Sequence, residues 1–149
     1  MKKSTEQIEQ LIQKIEELIP VYRNNEEDKN ISNGNTAVCI IDESGVLFGK
    51  LFVNNNKIRA RESFRVAWIK ASQVWLTGMK TGEYEKKIYS GEINEEIAGI
   101  SKPDLIGWEG GQPIKFKNGS ILSVGFSGFR GVSDLEIVVK ALKQFETIE

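Results

Sequence analysis

Apolar positions recur with two different periods along this chain. Ile8, Leu11, Ile12, Ile15, Leu18 and Ile19 follow one another at three- and four-residue spacing, with Glu, Gln and Lys between them. That spacing predicts an amphipathic helix buried along one stripe. Ser4 and Gln7 are spaced as a capping box at its start, and Pro20 ends it or lies in its last turn. The polar stretch from Arg23 to Asn35 has almost no apolar content and predicts a loop. From Thr36 the pattern changes. Thr36-Ala37-Val38-Cys39-Ile40-Ile41 is β-branched and nearly continuously apolar, the mark of a central strand buried on both faces. Asp42-Glu43-Ser44-Gly45 forms a turn, and Val46 to Val53 returns antiparallel, closed by Asn54-Asn55-Asn56.

A second helical stripe, Phe64, Ala67, Trp68, Ala71, Val74 and Trp75, predicts a helix from Arg59 to Thr77. Its small Ala67 and Ala71 permit close approach to a sheet. Arg61, Glu62 and Arg65 lie off the stripe, and Gly78 is placed to stop the helix. Two short helical patterns, around Tyr84–Ile88 and Ile93–Ile97, are split by Ser90-Gly91, and Pro103 breaks any continuation. Leu105-Ile106-Gly107-Trp108 reads as a short edge strand. A glycine-rich entry, Gly110-Gly111-Gln112-Pro113, then leads into Ile114–Lys117, a strand with one wet face. Asn118-Gly119 predicts a two-residue hairpin turn, with Ser120–Phe126 as the returning strand. Ser133 and Glu136 form a second capping box, ahead of a helix with Leu135, Val138, Val139, Leu142 and Phe145 on one face. Strands arriving as hairpins between amphipathic helices predict an α+β domain, its antiparallel sheet covered by helices.

Composition bounds the function more than it names one. A chain of 149 residues, 40% hydrophobic and 28% charged, can bury a real core as one domain. Residues 1–35 supply its N-terminal helix and polar loop, and residues 36–149 its core. The net charge of −1, from 20 basic and 21 acidic residues, offers no field to a phosphate backbone. Arg59, Arg61, Arg65, Lys86 and Lys87 are balanced by nearby acids, so no nucleic-acid partner is expected. No apolar run approaches the roughly 20 residues that span a bilayer, and Met1-Lys2-Lys3-Ser4 lacks the apolar region of a signal peptide. A cytoplasmic protein with no membrane partner is the expectation. Cys39 is the single cysteine, which excludes an intrachain disulfide, and the chain has no histidine.

The most specific local pattern is Gly110, Gly111, Pro113 and Ile114 followed by Gly125, Ser127, Gly128, Asp134 and Glu136, with a looser match at Ala67, Lys70 and Ala71. In these residues the chain resembles the GlcG/HbpS family, also found as the C-terminal domain of PduO-type proteins, over most of its length from Thr36 onwards. The resemblance implies a profilin-like fold with a five-stranded antiparallel sheet flanked by helices. It also implies assembly into homo-oligomers, and binding of haem or a related small molecule in an accessory metabolic role. Phe129-Arg130 departs from the family, which usually carries small polar residues there.

The ligand-binding set expected from the sequence is Trp108, Glu109, Gly110, Gly111, Ser127, Gly128 and Arg130. Backbone N–H groups of a glycine-rich turn at a helix start hold anions, and Arg130 adds a bidentate grip. Against this stands a plainer reading. The glycines at 125, 128 and 131 serve chain reversal, Arg130 is solvated, and Asp134 partly cancels the local positive potential. Trp108 supplies an aromatic wall. Glu109 accepts a ligand amine or acts as a general acid, or is simply a solvated carboxylate. Trp68 and Trp75, on the helical stripe, read as core or subunit-interface packing. Cys39 and Met79 are packing residues before they are soft iron ligands. Glu83, Glu85, Glu92, Glu95 and Glu96 lack metal-loop spacing and read as solvated surface.

Elimination limits the chemistry further. Without histidine there is no Ser-His-Asp or Cys-His pair, and one cysteine with no histidine excludes the common zinc sites. Phosphate-loop and dinucleotide fingerprints are absent. Haem, which the resemblance brings forward, would be ligated by Cys39, Met79, a tyrosine or a lysine, or by no side chain at all, so weak or absent haem binding is expected and the cofactor is left open. The leading expectation is a non-catalytic binding protein for a small haem-related, anionic or aromatic ligand. The alternatives are a ligand-free oligomeric scaffold and, third, a haem-degrading or cofactor-processing enzyme.

Overall fold

A computed structural model describes residues 2–52, 56–92, 109–116 and 118–148. Along them run α1 (Lys2–Arg23), α2 (Glu26–Ser32), β1 (Ala37–Ile41), β2 (Leu47–Leu51), α3 (Lys57–Thr77), α4 (Thr81–Tyr89), β3 (Gly111–Lys115), β4 (Ile121–Ser127) and α5 (Gly131–Ile148). The strands pair antiparallel throughout, in the order β2-β1-β4-β3. The α+β class and the antiparallel sheet stand. The expected count of five strands is corrected to four among the described residues; the predicted edge strand Leu105–Trp108 and the helical pattern Ile93–Ile97 lie outside them.

β1 is buried along its whole length, because each of its faces meets a different helical layer. Val38 and Ile40 join Val124 and Phe126 of β4, the Ile8–Leu11–Ile15–Ile19 stripe of α1, and Ile137, Val138 and Ala141 of α5. Ala37, Cys39 and Ile41 point the other way, onto Ala67 and Ala71 of α3. This second layer is built from small groups: the cross-strand partners of Cys39 are Gly49 and Gly125. Trp68 and Trp75 lie off the buried strip and are 43% and 46% exposed, though Trp75 Nε1 donates to the Asp42 carbonyl at 3.1 Å.

Pro20 lies in the last turn of α1, one of its two expected places, and the helix runs on to Arg23. Several other local expectations are revised. The helix is already formed at Ser4, so Ser4 is no N-cap, and the buried Gln7 accepts from Asn118 Nδ2 at 3.4 Å. The Asn118-Gly119 reversal closes through Gly119 N–H on the Phe116 carbonyl and Phe116 N–H on the Ser120 carbonyl. That is a three-residue loop rather than the expected two. β3 begins at Gly111, so the glycine entry beyond Gly110 is itself strand.

The largest revision is α2, where the polar stretch from Arg23 to Asn35 predicted a loop. Asn25 caps this short helix by accepting the Asp28 N–H at 3.1 Å, and Asn33 ends it at φ 46°. Its buried residues, Asp28 and Ser32, are one turn apart and polar, so hydrophobic periodicity cannot reveal it. Asp28 is fully buried. Its carboxylate accepts the Arg130 backbone N–H (2.9 Å), Arg130 Nε (3.0 Å), Arg130 Nη2 (3.3 Å) and the Ser133 hydroxyl (2.7 Å). The start of α5 is therefore capped from another helix. The predicted Ser133–Glu136 box does not form; Glu136 instead accepts from Tyr22 Oη at 2.9 Å and pairs with Lys140 at 2.8 Å. Burial pushes the Asp28 carboxyl up, but the Arg130 and Ser133 hydrogen bonds outweigh it and hold it below the usual carboxylate range. Asp28→Ala leaves an orphan N–H, a guanidinium and a hydroxyl, and is expected to cost about 2–4 kcal/mol, the sum of a lost cap and a lost charged hydrogen bond. Urea unfolding measures this, and a midpoint equal to that of the unaltered protein would remove the Asp28 cap from the account.

Candidate functional site

The turn from β4 into α5 is one wall of a cavity of about 320 Å³. α2 and the following Asn35 form a second wall, and α3 a third, through Arg59, Ser63, Val66 and Lys70. Gly128 is at φ +132°, and a Cβ there would lie 2.6 Å from the Asn35 carbonyl oxygen. Only glycine lets the turn rest on the segment that leads from α2 into β1.

Lys70 follows the same face of α3 as Ala67, Ala71 and Val74, so the helix delivers its side chain to the sheet and not to water; it is 2% exposed. Its Nζ donates to the Phe126 carbonyl at 2.9 Å and to Asp134 Oδ2 at 3.1 Å. Asp134 Oδ1 accepts the Phe129 N–H at 2.9 Å, which fixes the carboxylate against the turn. Burial pushes the Asp134 carboxyl up, and the Lys70 ammonium and the Phe129 N–H pull it only part of the way back, to about 7. Gly110, at φ +123°, lies over the pair; a Cβ there would meet Lys70 Nζ at 2.7 Å and Asp134 Cβ at 2.9 Å.

The six expected residues that are described separate into three groups. Glu109, Ser127 and Gly128 line the cavity. Gly110 covers the ion pair, and Gly111 lies in β3 beneath α3 and α4, where a Cβ would meet Thr81 Cγ2 at 2.5 Å. Arg130 turns its guanidinium to Asp28, with Ser133 at 3.5 Å, and is not part of the cavity wall. Trp108 lies outside the described residues. Sequence reasoning missed Arg59, Ser63, Asn35 and the pairing of Lys70 with Asp134. One signal was available for Lys70: it shares the helical face of Ala67, Ala71 and Val74, and a cation on an apolar stripe needs a buried partner.

The soft-ligand candidates lie elsewhere. Cys39 is buried between β1 and α3, and burial pushes its thiol up to about 12. Met79 follows the helix-ending Gly78 (φ 72°) and bonds Thr77 Oγ1 through its backbone. Among the described residues, no group of three or more Cys, Asp and Glu is placed to hold a metal ion, and no helix is long and apolar enough to cross a membrane.

These features define an α+β domain whose antiparallel sheet, covered on both faces, ends in a cavity with a buried ion pair in its wall. The model of the HbpS-like family, described as "Haem degrading protein HbpS-like", matches residues 13–143. The chain belongs to this family. No curated protein matches it in sequence. Among solved structures it is similar to Klebsiella pneumoniae protein ORFY, of family DUF336, with TM-score 0.66 and 18% identity over 96% of this chain and 90% of that one. It is also similar to PduOC in its heme complex, with TM-score 0.65 and 16% identity over 93% and 91% of the two chains. The Ybr137w protein matches with TM-score 0.66 and 14% identity over 94% and 76%. At these identities the likeness is one of fold.

Proposed function

We propose that the protein is a non-catalytic binding protein of the HbpS type, with a small anionic molecule held in the cavity between α2, α3 and the β4–α5 turn. The observation that carries this reading is the buried Lys70–Asp134 pair in the cavity wall. With Asp134 pushed up to about 7, Arg59 and Lys70 outweigh Glu109 and a part-ionised Asp134 near neutrality. In this reading Ser127, Gly128 and Glu109 touch the ligand. Gly110 packs over the Lys70–Asp134 pair, Gly111 lets β3 lie against α3 and α4, and Arg130 holds α2 in place.

Haem is the ligand that the family description and the PduOC:heme complex bring forward. The described residues fit it poorly. The cavity of about 320 Å³ is at the low end of the roughly 300–1,000 Å³ usual for small-molecule sites. Its lining offers no imidazole, thiolate or thioether. A haem titration is expected to show weak or no binding, and a sharp, saturable Soret band at one equivalent would overturn that expectation.

Assembly into homo-oligomers and a profilin-like variant of the α+β fold belong to the same proposal. Trp68, Trp75 and Leu47, exposed by 43%, 46% and 51%, support the first as apolar surface that a second copy would cover. Native mass spectrometry of the purified protein reads both retained small molecules and copy number. A bare monomer that small carboxylates fail to stabilise would count against the whole reading.

A further inference from the structure

We propose that Arg59, together with the Ser127 hydroxyl, grips the acidic group of the ligand, and that the ligand is a small carboxylate bearing a single negative charge. The proposal rests on the cavity being the binding site for an anion, and adds the residues that read it and its chemical class. Arg59, Ser63, Val66 and Lys70 follow one another at spacings of four, three and four residues, so α3 presents one stripe to the cavity. Lys70 is the buried end of that stripe, and its ammonium is engaged by Asp134 and the Phe126 carbonyl. Arg59 is the exposed end. Its Nη2 donates to the Ile31 carbonyl at 3.2 Å, and Ile31 lines the same cavity from α2. That bond draws the guanidinium from α3 across to the α2 wall. Among the described residues no carboxylate pairs with it, and its Nε and Nη1 donors have no partner there.

Strand alternation aims Ser127. Along β4, Phe126 packs into the core shared with α1 and α5, whereas a Cβ on Gly125 would meet the backbone of α3. Ser127, two residues after Gly125, therefore points to the α3 side, where it lines the cavity and is 7% exposed. Its hydroxyl has no partner among the described residues and, unlike the Asn35 and Thr36 side-chain oxygens, is not sealed from solvent. A guanidinium without a counter-charge and a hydroxyl without a partner, lining one cavity, call for the same ligand atom, an anionic oxygen. A carboxylate suits them because its two oxygens take two guanidinium donors side by side. Glu109 limits the charge. It is exposed, and no cation pairs with it among the described residues. Since Lys70 and Asp134 face each other at 3.1 Å, Arg59 and Glu109 are the exposed charges of the described lining. One negative charge on the ligand is met by Arg59, and a second would be repelled by Glu109. Ile31, Val66 and Phe129 supply a short apolar wall for the carbon chain.

The test is calorimetry and thermal shift on the full chain near neutral pH, with propionate, butyrate and benzoate against succinate and sulfate. The singly charged acids are expected to bind at least roughly 5-fold more tightly than the dianions. Arg59→Gln should weaken the monocarboxylates roughly 10- to 100-fold. Arg59→Lys keeps the charge but loses the paired donors, and should recover little of that loss. Ser127→Ala should weaken them about 5-fold and leave Tm unchanged, because no protein group loses a partner. Glu109→Gln should narrow the gap between the monocarboxylates and the dianions. Full affinity in Arg59→Gln overturns the role of Arg59 and leaves the anion site standing, and full affinity in Arg59→Lys overturns the paired-donor grip. Dianions that bind as tightly as the monocarboxylates overturn the single-charge class. No response to any of the probes overturns the anion site and this inference together.

Discussion

Gly125→Ala destabilises the protein by more than about 3 kcal/mol, beyond the usual range for overpacked cores. For a domain of this size that is a fall in Tm of about 10 °C or failure to fold. The reason is the backbone of α3. A Cβ on Gly125 would stand on the Ala67 carbonyl oxygen and 2.6 Å from the Ala71 nitrogen. Neither atom belongs to a side chain that can rotate away. α3 lies this close because Ala67 and Ala71 face the sheet, and Gly125 sits between Gly111 of β3 and Cys39 of β1 in the sheet register. Gly119→Ala is the control: its Cβ would meet nothing within 4 Å, although its φ of +93° adds strain, so a loss of about 1 kcal/mol is expected. Thermal unfolding followed by circular dichroism compares the two. If the Gly125 variant melts with the Gly119 variant, the close helix–sheet approach is wrong.

The second large effect is a pH dependence set by Asp134. Its carboxyl titrates at about 7 in the folded protein against 3.8 as the ordinary value. Between those values the folded chain holds a proton that the unfolded chain has lost. The contribution to stability is therefore fully present below pH 3.8, and is lost as pH rises towards 7. Asp28, Asp42, Glu62 and Glu136 are all held below their usual values. Their stabilisation is present above the ordinary carboxylate values of 3.8 and 4.5 and is lost as pH falls, so it varies mainly below about pH 5. The window from about pH 5.5 to 7.5 thus isolates Asp134, and Tm should decline across it. Asp134→Asn should flatten the decline and also lower stability by about 3–5 kcal/mol at the upper end, where it leaves Lys70 without its buried counter-charge. Lys70→Met removes the ammonium that pulls Asp134 down, so the decline should steepen and extend to higher pH. Parallel Tm curves for the unaltered and Asp134→Asn proteins across this window would remove Asp134 as the titrating group.

How much of the fold was legible depended on where burial is apolar. The α1 stripe, the continuous β1 run and the Ala67–Ala71 face of α3 all announce themselves by hydrophobic period, and each lies where its period placed it. Gly78 stops α3 through a left-handed cap, as its position suggested. α2 was invisible because Asp28 and Ser32, its buried residues, are polar. The second capping box failed for a related reason. Ser133 and Glu136 have the correct spacing, but a carboxylate 105 residues before Ser133 in the chain takes the Ser133 hydroxyl. The site was half legible: glycines and Ser127 marked the turn and the apolar face of α3 marked Lys70, while Asn35, Arg59 and Ser63 carry no local signal.

By itself the sequence determined the α+β class, the antiparallel hairpins and the family, because periodicity, turn residues and a glycine pattern act over a few residues at a time. It also excluded histidine-based chemistry outright, since composition needs no coordinates. Only the tertiary structure decided what the charged residues do. Lys70 and Asp134 are 64 residues apart in sequence and 3.1 Å apart in space, and Asp28 and Arg130 are 102 residues apart and in contact. Whether a charge is solvated or buried against its opposite is a property of packing, and the packing here set Arg130 to hold the fold and Lys70 to face the cavity.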